Sequence, residues 1–209
     1  MERLELYDMP ISSNARIARM VAAQLDLPVE IRPVDMSKGA HKHPDYLKLN
    51  PNGKVPTLKH GDFILWESNA IALYMASLRP ESELLPRDPK LAAQVDQWLF
   101  WRSAHFQPSF SKISFERVVK AWMNMGPPDE KIVEQGLKDF DLFASVLDAH
   151  LANRQFIVGD KLTVADISIA CSLSLRQMAK LETSKWPHMH SWLARIEALP
   201  SFKSTEPKH

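Results

Sequence analysis

The sequence predicts an α/β domain followed by an all-helical domain, and three observations predict it. Short alternating or β-branched runs, separated by turn formers, fill the first part of the chain. From Arg79 to Pro89 three prolines and several charges stand among few apolar residues, which is linker composition. Beyond that stretch apolar residues recur three and four apart, the helical period.

From Leu4 to Tyr7 apolar and polar residues alternate before Asp8, Met9 and Pro10 interrupt, so a short strand and a turn are expected. A helix follows, with Ile17, Met20, Val21 and Leu25 facing the core, Ser12, Ser13 or Asn14 as its cap and Pro28 as its stop. Val29, Ile31 and Val34 predict a second strand. Pro33 has no amide hydrogen to pair, which puts that strand at an edge or ends it there. Val55 to Leu58 and Phe63 to Trp66 read as two strands joined by Lys59 to Asp62, where Gly61 permits a tight hairpin. A helix from near Ser68 completes a first domain over 1–78, ahead of a linker at 79–89 and a helical domain over 90–209.

In the second half Asp129 precedes a long helix whose apolar face is Ile132, Val133, Leu137, Phe140, Ala144, Leu147 and Leu151. Thr163 and Asp166 have capping-box spacing, worth on the order of 1 kcal/mol to the helix they open. Ile167, Ile169, Ala170, Cys171, Leu173 and Leu175 cover more than one face, so that helix belongs at the centre of the domain with Cys171 in its core. Trp192, Leu193, Ile196 and Leu199 form a last amphipathic helix stopped by Pro200, with a frayed tail from Lys203 to His209. Trp98 and Trp101 line a cleft or fill the core.

Composition excludes several function classes. A formal net charge of +1 provides no field for nucleic acid or an anionic membrane. The single cysteine, Cys171, rules out an internal disulfide, a CxxC redox pair and a multi-cysteine metal site, and suits a reducing cytoplasm. The amino terminus lacks a basic region followed by an apolar run, and nowhere do 18 or so apolar residues run together, so neither export nor membrane insertion is expected. His188 and His190, two apart on a helix, point to different faces, and no metal is expected.

The chemistry concentrates in Asn50-Pro51-Asn52-Gly53-Lys54-Val55-Pro56-Thr57-Leu58 and, nine residues later, in Glu67-Ser68-Asn69-Ala70-Ile71. The pair resembles the N-P-x-G-x-V-P-x-L and E-S-x-A-I motifs of cytosolic glutathione transferases. Gly159 to Asp166 and the Trp192 to Pro200 helix extend the resemblance over nearly the whole chain. The resemblance implies a thioredoxin-like first domain that binds glutathione as co-substrate, a helical second domain that walls a site for a small hydrophobic electrophile, and a homodimer.

It also implies roles for particular residues. The Val55-Pro56 bond is expected to be cis, exposing the Val55 backbone to the cysteinyl unit of glutathione. Glu67 would hold the γ-glutamyl ammonium, and Ser68 with the free amides of a helix start would hold its carboxylate. A helix cap with an acidic first turn accounts for the same pair of residues without a ligand. His41, Lys42 and Lys54 resemble the residues that bind the glycyl carboxylate in the plant-type phi class, while His43 reads as surface. Ser12-Ser13-Asn14-Ala15-Arg16 resembles the S-x-x-x-R segment of theta and delta enzymes, with Ser12 as the hydroxyl that activates the thiol and Ser13 as the alternative. Asn14 stands where those classes often have proline, so the class stays open. Tyr7 lies too early on its strand for a tyrosine-type enzyme. The activity implied is glutathione transfer. A peroxidase, dehalogenase or isomerase using the same thiolate, or a non-catalytic binding module, are the alternatives.

Overall fold

The computed structural model describes residues 2–207. Strand β1 (Leu4–Asp8) leads into helix α1 (Ser13–Gln24) and returns as β2 (Val29–Pro33), a parallel neighbour. Helix α2 (Pro44–Leu49) precedes the hairpin of β3 (Thr57–His60) and β4 (Phe63–Trp66), and α3 (Ser68–Ser77) follows. The sheet order is β2-β1-β3-β4, with β3 antiparallel to both neighbours, a mixed four-stranded thioredoxin-like arrangement. Pro33 ends an edge strand, where its missing amide costs no ladder bond. The hairpin differs from expectation. Val55 and Pro56 stay outside β3, which runs on to His60, so the turn shrinks to Gly61 and Asp62 with Gly61 at φ +59°.

The rest is helical: α4 (Pro89–Trp101), α5 (Gln107–Ser114), α6 (Lys120–Trp122), α7 (Glu130–Leu151), α8 (Val164–Ser172), α9 (Pro187–Glu197) and α10 (Pro200–Ser204). Two π-helical turns, Arg102–Phe106 and Phe115–Val119, join α4 to α5 and α5 to α6 in one continuous run. All nine residues of α8 are buried, and α1 of the first unit packs directly on it. Cys171 lies in that contact, its Sγ 3.8 Å from Met20 Sδ. Burial pushes its thiol up to about 11, which removes it as a nucleophile at neutral pH. Asp166, wholly buried, completes the capping box and accepts four hydrogen bonds, from Ile157 N, Thr163 N, Thr163 Oγ1 and Trp192 Nε1, over 2.8 to 3.0 Å. Trp98 and Trp101 lie edge to face at 4.9 Å among Phe106, Phe143 and His150, which is the core reading of that pair.

Three details of the helical half depart from the sequence reading. Leu175 is buried in a turn after α8 rather than on the helix. Ile132 on α7 is 41% exposed, so the apolar face of that helix starts at Val133. Pro200 ends the preceding helix but also opens α10, because its fixed φ and missing amide suit the first turn of a helix. The tail is correspondingly ordered through Thr205, which bonds the Ser201 carbonyl; Lys208 and His209, the end of the tail expected to fray, lie outside the described residues. Among the described residues no helix is long and apolar enough to cross a membrane.

Candidate active site

Register decides which loops meet. Asp8 stands opposite Pro33, Tyr7 opposite Thr57, and Thr57 opposite Trp66, so the end of β1, the end of β2, the start of β3 and the end of β4 share one edge of the sheet. The segments leaving that edge carry Ser12, His41, Lys54 to Pro56, and Glu67 with Ser68. The parallel β1-α1-β2 crossover makes this the natural ligand end of such a sheet.

Ser12 is the N-cap of α1, with its Oγ accepting from Ala15 N at 3.2 Å. A hydroxyl retains its own proton for a second partner, and none is present among the described residues. Ser13 is the first residue of the helix and lines the same cavity, so the structure separates the two by role: Ser12 caps and Ser13 does not. That cavity, about 990 Å³, is walled by Met9, Ile11 and Val34 from the first unit and by Phe115, Trp122 and Met123 from the second.

The Val55-Pro56 bond is cis. The loop that carries it hangs on a polar cluster: Asn50 Nδ2 donates to the Lys54 carbonyl at 2.9 Å and to Thr57 Oγ1 at 3.1 Å, and Tyr46 Oη donates to the Lys54 carbonyl at 2.7 Å. Tyr46 Oη and Thr57 Oγ1 are a further 3.0 Å apart. Gly53, at φ +59°, lies so close to the His41 carbonyl that a Cβ would meet it at 3.0 Å, which brings the His41 turn against the Lys54 loop. His41 Nδ1 is buried with no partner in the described residues, whereas Lys42 and Lys54 are exposed. His43 is also exposed, and its Nδ1 caps α2 by accepting from Asp45 N at 3.4 Å.

Glu67 turns the chain from β4 into α3 at φ +76°, a left-handed conformation that a residue bearing a Cβ adopts rarely and that clusters at functional sites. Ser68, the first residue of α3, is buried. These two border a second cavity of about 550 Å³, together with Asn14, Asn69 and Arg102.

Sequence reasoning missed the seam behind both cavities. Arg102, from the first π turn, is 3% exposed; its Nε donates to Ser172 Oγ at 2.8 Å and its Nη2 to Asn14 Oδ1 at 2.6 Å and Gln107 Oε1 at 3.1 Å. Burial pulls its guanidinium down to about 10, below the ordinary arginine value. Asn69 Nδ2 reaches the Leu99 carbonyl at 3.2 Å, and Ser168 Oγ reaches Asn69 Oδ1 at 2.6 Å. Ser168, on α8, thus meets the first turn of α3 directly, while Ser172, four residues on, meets the first turn of α1 only through Arg102. No local signal marked Arg102, whose neighbours read as one more apolar helix. Among the described residues no group of three or more His, Cys, Asp or Glu is placed to hold a metal.

The fold first defines a class: a thioredoxin-like domain whose cis-proline edge opens into a cleft walled by a helical domain. Comparison with known proteins gives the family. Residues 2–77 match the model of the glutathione S-transferase N-terminal domain and residues 105–200 that of the C-terminal domain. Glutathione S-transferase 3 of Zea mays is 37% identical over 98% of this chain and 94% of its own length. The crystal structure of glutathione transferase F2 from Populus trichocarpa matches with a TM-score of 0.90 at 27% identity, covering 97% of this chain and 96% of that one. A theta class glutathione S-transferase from Xanthomonas axonopodis pv. citri, with glutathione bound, also gives 0.90 at 27% identity, over 100% and 99% of the two chains. This chain belongs to the glutathione S-transferase family and is a transferase of that kind.

Proposed function

We propose that the protein binds glutathione at the loop edge of its sheet, stabilises the thiolate through the Ser12 hydroxyl and adds the sulfur to a small hydrophobic electrophile in the cavity of about 990 Å³. The observation that carries this reading is the juxtaposition at one sheet edge of a capping serine with a spare proton, a cis Val55-Pro56 bond and the Glu67-Ser68 helix start.

Glutathione lies across that edge. Its γ-glutamyl end meets Glu67, Ser68 and the amides of α3, where carboxylate and ammonium each find an opposite charge or dipole. The cysteinyl unit pairs with the Val55 backbone. The glycyl carboxylate meets His41, Lys42 and Lys54. A free thiol with a pKa near 8.5 is only a few per cent ionised at neutral pH, and lowering it by about two units requires about 2.7 kcal/mol. Charge-assisted donation by Ser12, helped by the start of α1, supplies a large share of that. The thiol proton leaves to solvent. The sulfur lone pair then forms a C–S bond, and the leaving group departs with the electron pair of the bond it loses.

Domain limits of 1–78, 79–89 and 90–209, a cytoplasmic location and a homodimer belong to the same reading. Phe63, Trp66 and Phe100 are exposed large apolar side chains, the last of them 75% exposed, and in this reading they are residues that a second copy would cover. The test is ultraviolet difference titration near 240 nm of the glutathione complex. Ionisation one to three pH units below that of free glutathione is expected, and ionisation no earlier than free glutathione refutes the thiolate mechanism. A turnover screen with aryl halides and peroxides separates transfer from peroxidase activity.

A further inference from the structure

Arg102 has only donors to offer, so chemistry settles the orientation of the amide it touches: Asn14 Oδ1 takes the Nη2 proton at 2.6 Å, and the Asn14 amino group faces the other way. That amino group has no acceptor among the described residues. Asn14 borders both cavities, the one that holds Ser12 and the one that holds Glu67 and Ser68. Residues two apart on a helix point apart, but Ser12 is the cap, with φ −72° and ψ 115°, and lies outside the helical rule. Arg102 cannot swing to a different acceptor, because its Nε is tied to Ser172 and its Nη2 also to Gln107.

Building on the glutathione site of the preceding subsection, we propose that Asn14 is a second hydrogen-bond donor to the glutathione sulfur, a catalytic residue beside Ser12, and that Arg102 is the positioning residue that aims it. A peptide whose γ-glutamyl end sits at Glu67 and whose sulfur faces Ser12 has its cysteinyl segment alongside Asn14. Two donors on one sulfur anion share the stabilisation that one hydroxyl would otherwise carry alone. The buried guanidinium behind the amide polarises its N–H bonds toward the sulfur and adds a fixed positive charge where negative charge develops.

Asn14→Asp separates this role from a structural one. The carboxylate keeps and strengthens the bond to Arg102, so the fold is retained, but an acceptor replaces the donor aimed at the sulfur. Titrating the complex near 240 nm, we expect Asn14→Asp to raise the ionisation of bound glutathione by one unit or more, and turnover at neutral pH to fall at least tenfold. The Michaelis constant for glutathione should stay within a few-fold. Asn14→Ala should give about half that shift, and Arg102→Met, which frees the amide to flip, an intermediate one. If Arg102→Met does not fold, Asn14→Asp alone decides. An unchanged ionisation in Asn14→Asp beside an early-ionising wild type overturns the proposal, as does a raised Michaelis constant with unshifted ionisation. A wild-type complex that ionises no earlier than free glutathione fails differently, removing the thiolate mechanism and this proposal with it.

Discussion

Arg16 Nη2 donates to the Phe202 carbonyl at 2.9 Å while its guanidinium carbon lies 3.8 Å from the centre of the Phe202 ring, so the helix that opens at Ser12 is clamped to the last helix of the chain. Arg16 is 2% exposed, its Nε has no partner among the described residues, and burial lowers its pKa. The Phe202 carbonyl also accepts from Thr205 N and Thr205 Oγ1, and Ser174 Oγ, the other acceptor of Arg16, itself donates to the Cys171 carbonyl. Replacing Arg16 therefore strands no acceptor. Arg16→Met should cost no more than about 1 kcal/mol. Phe202→Ala, which empties a buried ring site, should cost about 3 kcal/mol or more. Urea unfolding of the two variants checks the order, and a larger loss in Arg16→Met contradicts it.

Ser12→Ala should lower turnover about 10- to 100-fold and leave glutathione affinity within a few-fold, because a hydrogen bond to a charged group is worth about 1.5 to 3 kcal/mol. It also removes the cap on Ala15 N, at about 1 kcal/mol of stability. Steady-state kinetics and a thermal melt on the same preparation read both. Should Ser13→Ala give the kinetic loss instead, the activating hydroxyl is one residue further on.

Glu67→Ala and Ser68→Ala should chiefly raise the Michaelis constant for glutathione, since both anchor a part of the substrate remote from the sulfur. Glu67→Gly is informative in another way. Glycine adopts φ +76° without strain, so this variant should be more stable than Glu67→Ala by about 1 kcal/mol while binding no better. Equal melting temperatures for the two would show that the left-handed backbone carries no cost.

Asn50→Ala should weaken glutathione binding without touching it. Its Nδ2 holds the Lys54 carbonyl and Thr57 Oγ1, and its Oδ1 accepts from Asn52 N at 3.0 Å, so both sides of the Val55-Pro56 loop come loose together. A stability loss of about 2 to 3 kcal/mol and a Michaelis constant raised several-fold are expected. Isothermal titration with glutathione, giving unchanged affinity, would deny the loop this support.

The acid limb of stability should depend on Glu116. The Asp129 amide, bonded to Glu116 Oε2 at 2.7 Å, holds this carboxyl below its ordinary value, and the Lys120 ammonium adds to the effect. A carboxyl whose folded pKa is depressed stabilises above its unfolded value, near 4.3, and that contribution disappears as pH falls through the lower folded value. Glu116→Gln should melt lower than wild type at pH 6, and the difference should shrink between about pH 4.5 and pH 3. A difference that stays constant across that interval would assign the loss to packing.

The sequence alone determined the local terms. Period and punctuation placed β1, α1, β2, the hairpin and the helical second half, and the spacing of Thr163 and Asp166 announced a capping box that the structure contains. Two short motifs were enough to name the family, because N-P-x-G-x-V-P-x-L and E-S-x-A-I fix backbone features that few other residues satisfy. What stayed hidden depends on residues far apart in the chain. Pro200 read as a stop because a missing amide looks the same whether it ends one helix or opens the next. Tyr46 carried no sign that its hydroxyl would meet Thr57 and Lys54, nor Arg102 that a π turn would aim it at Asn14, 88 residues earlier. Periodicity reports which face of an element is apolar, but only tertiary packing brings a buried donor to its acceptor. Here that packing set Arg102 behind Asn14, and it placed Asn14 between the cavity that holds Ser12 and the cavity that holds Glu67 and Ser68.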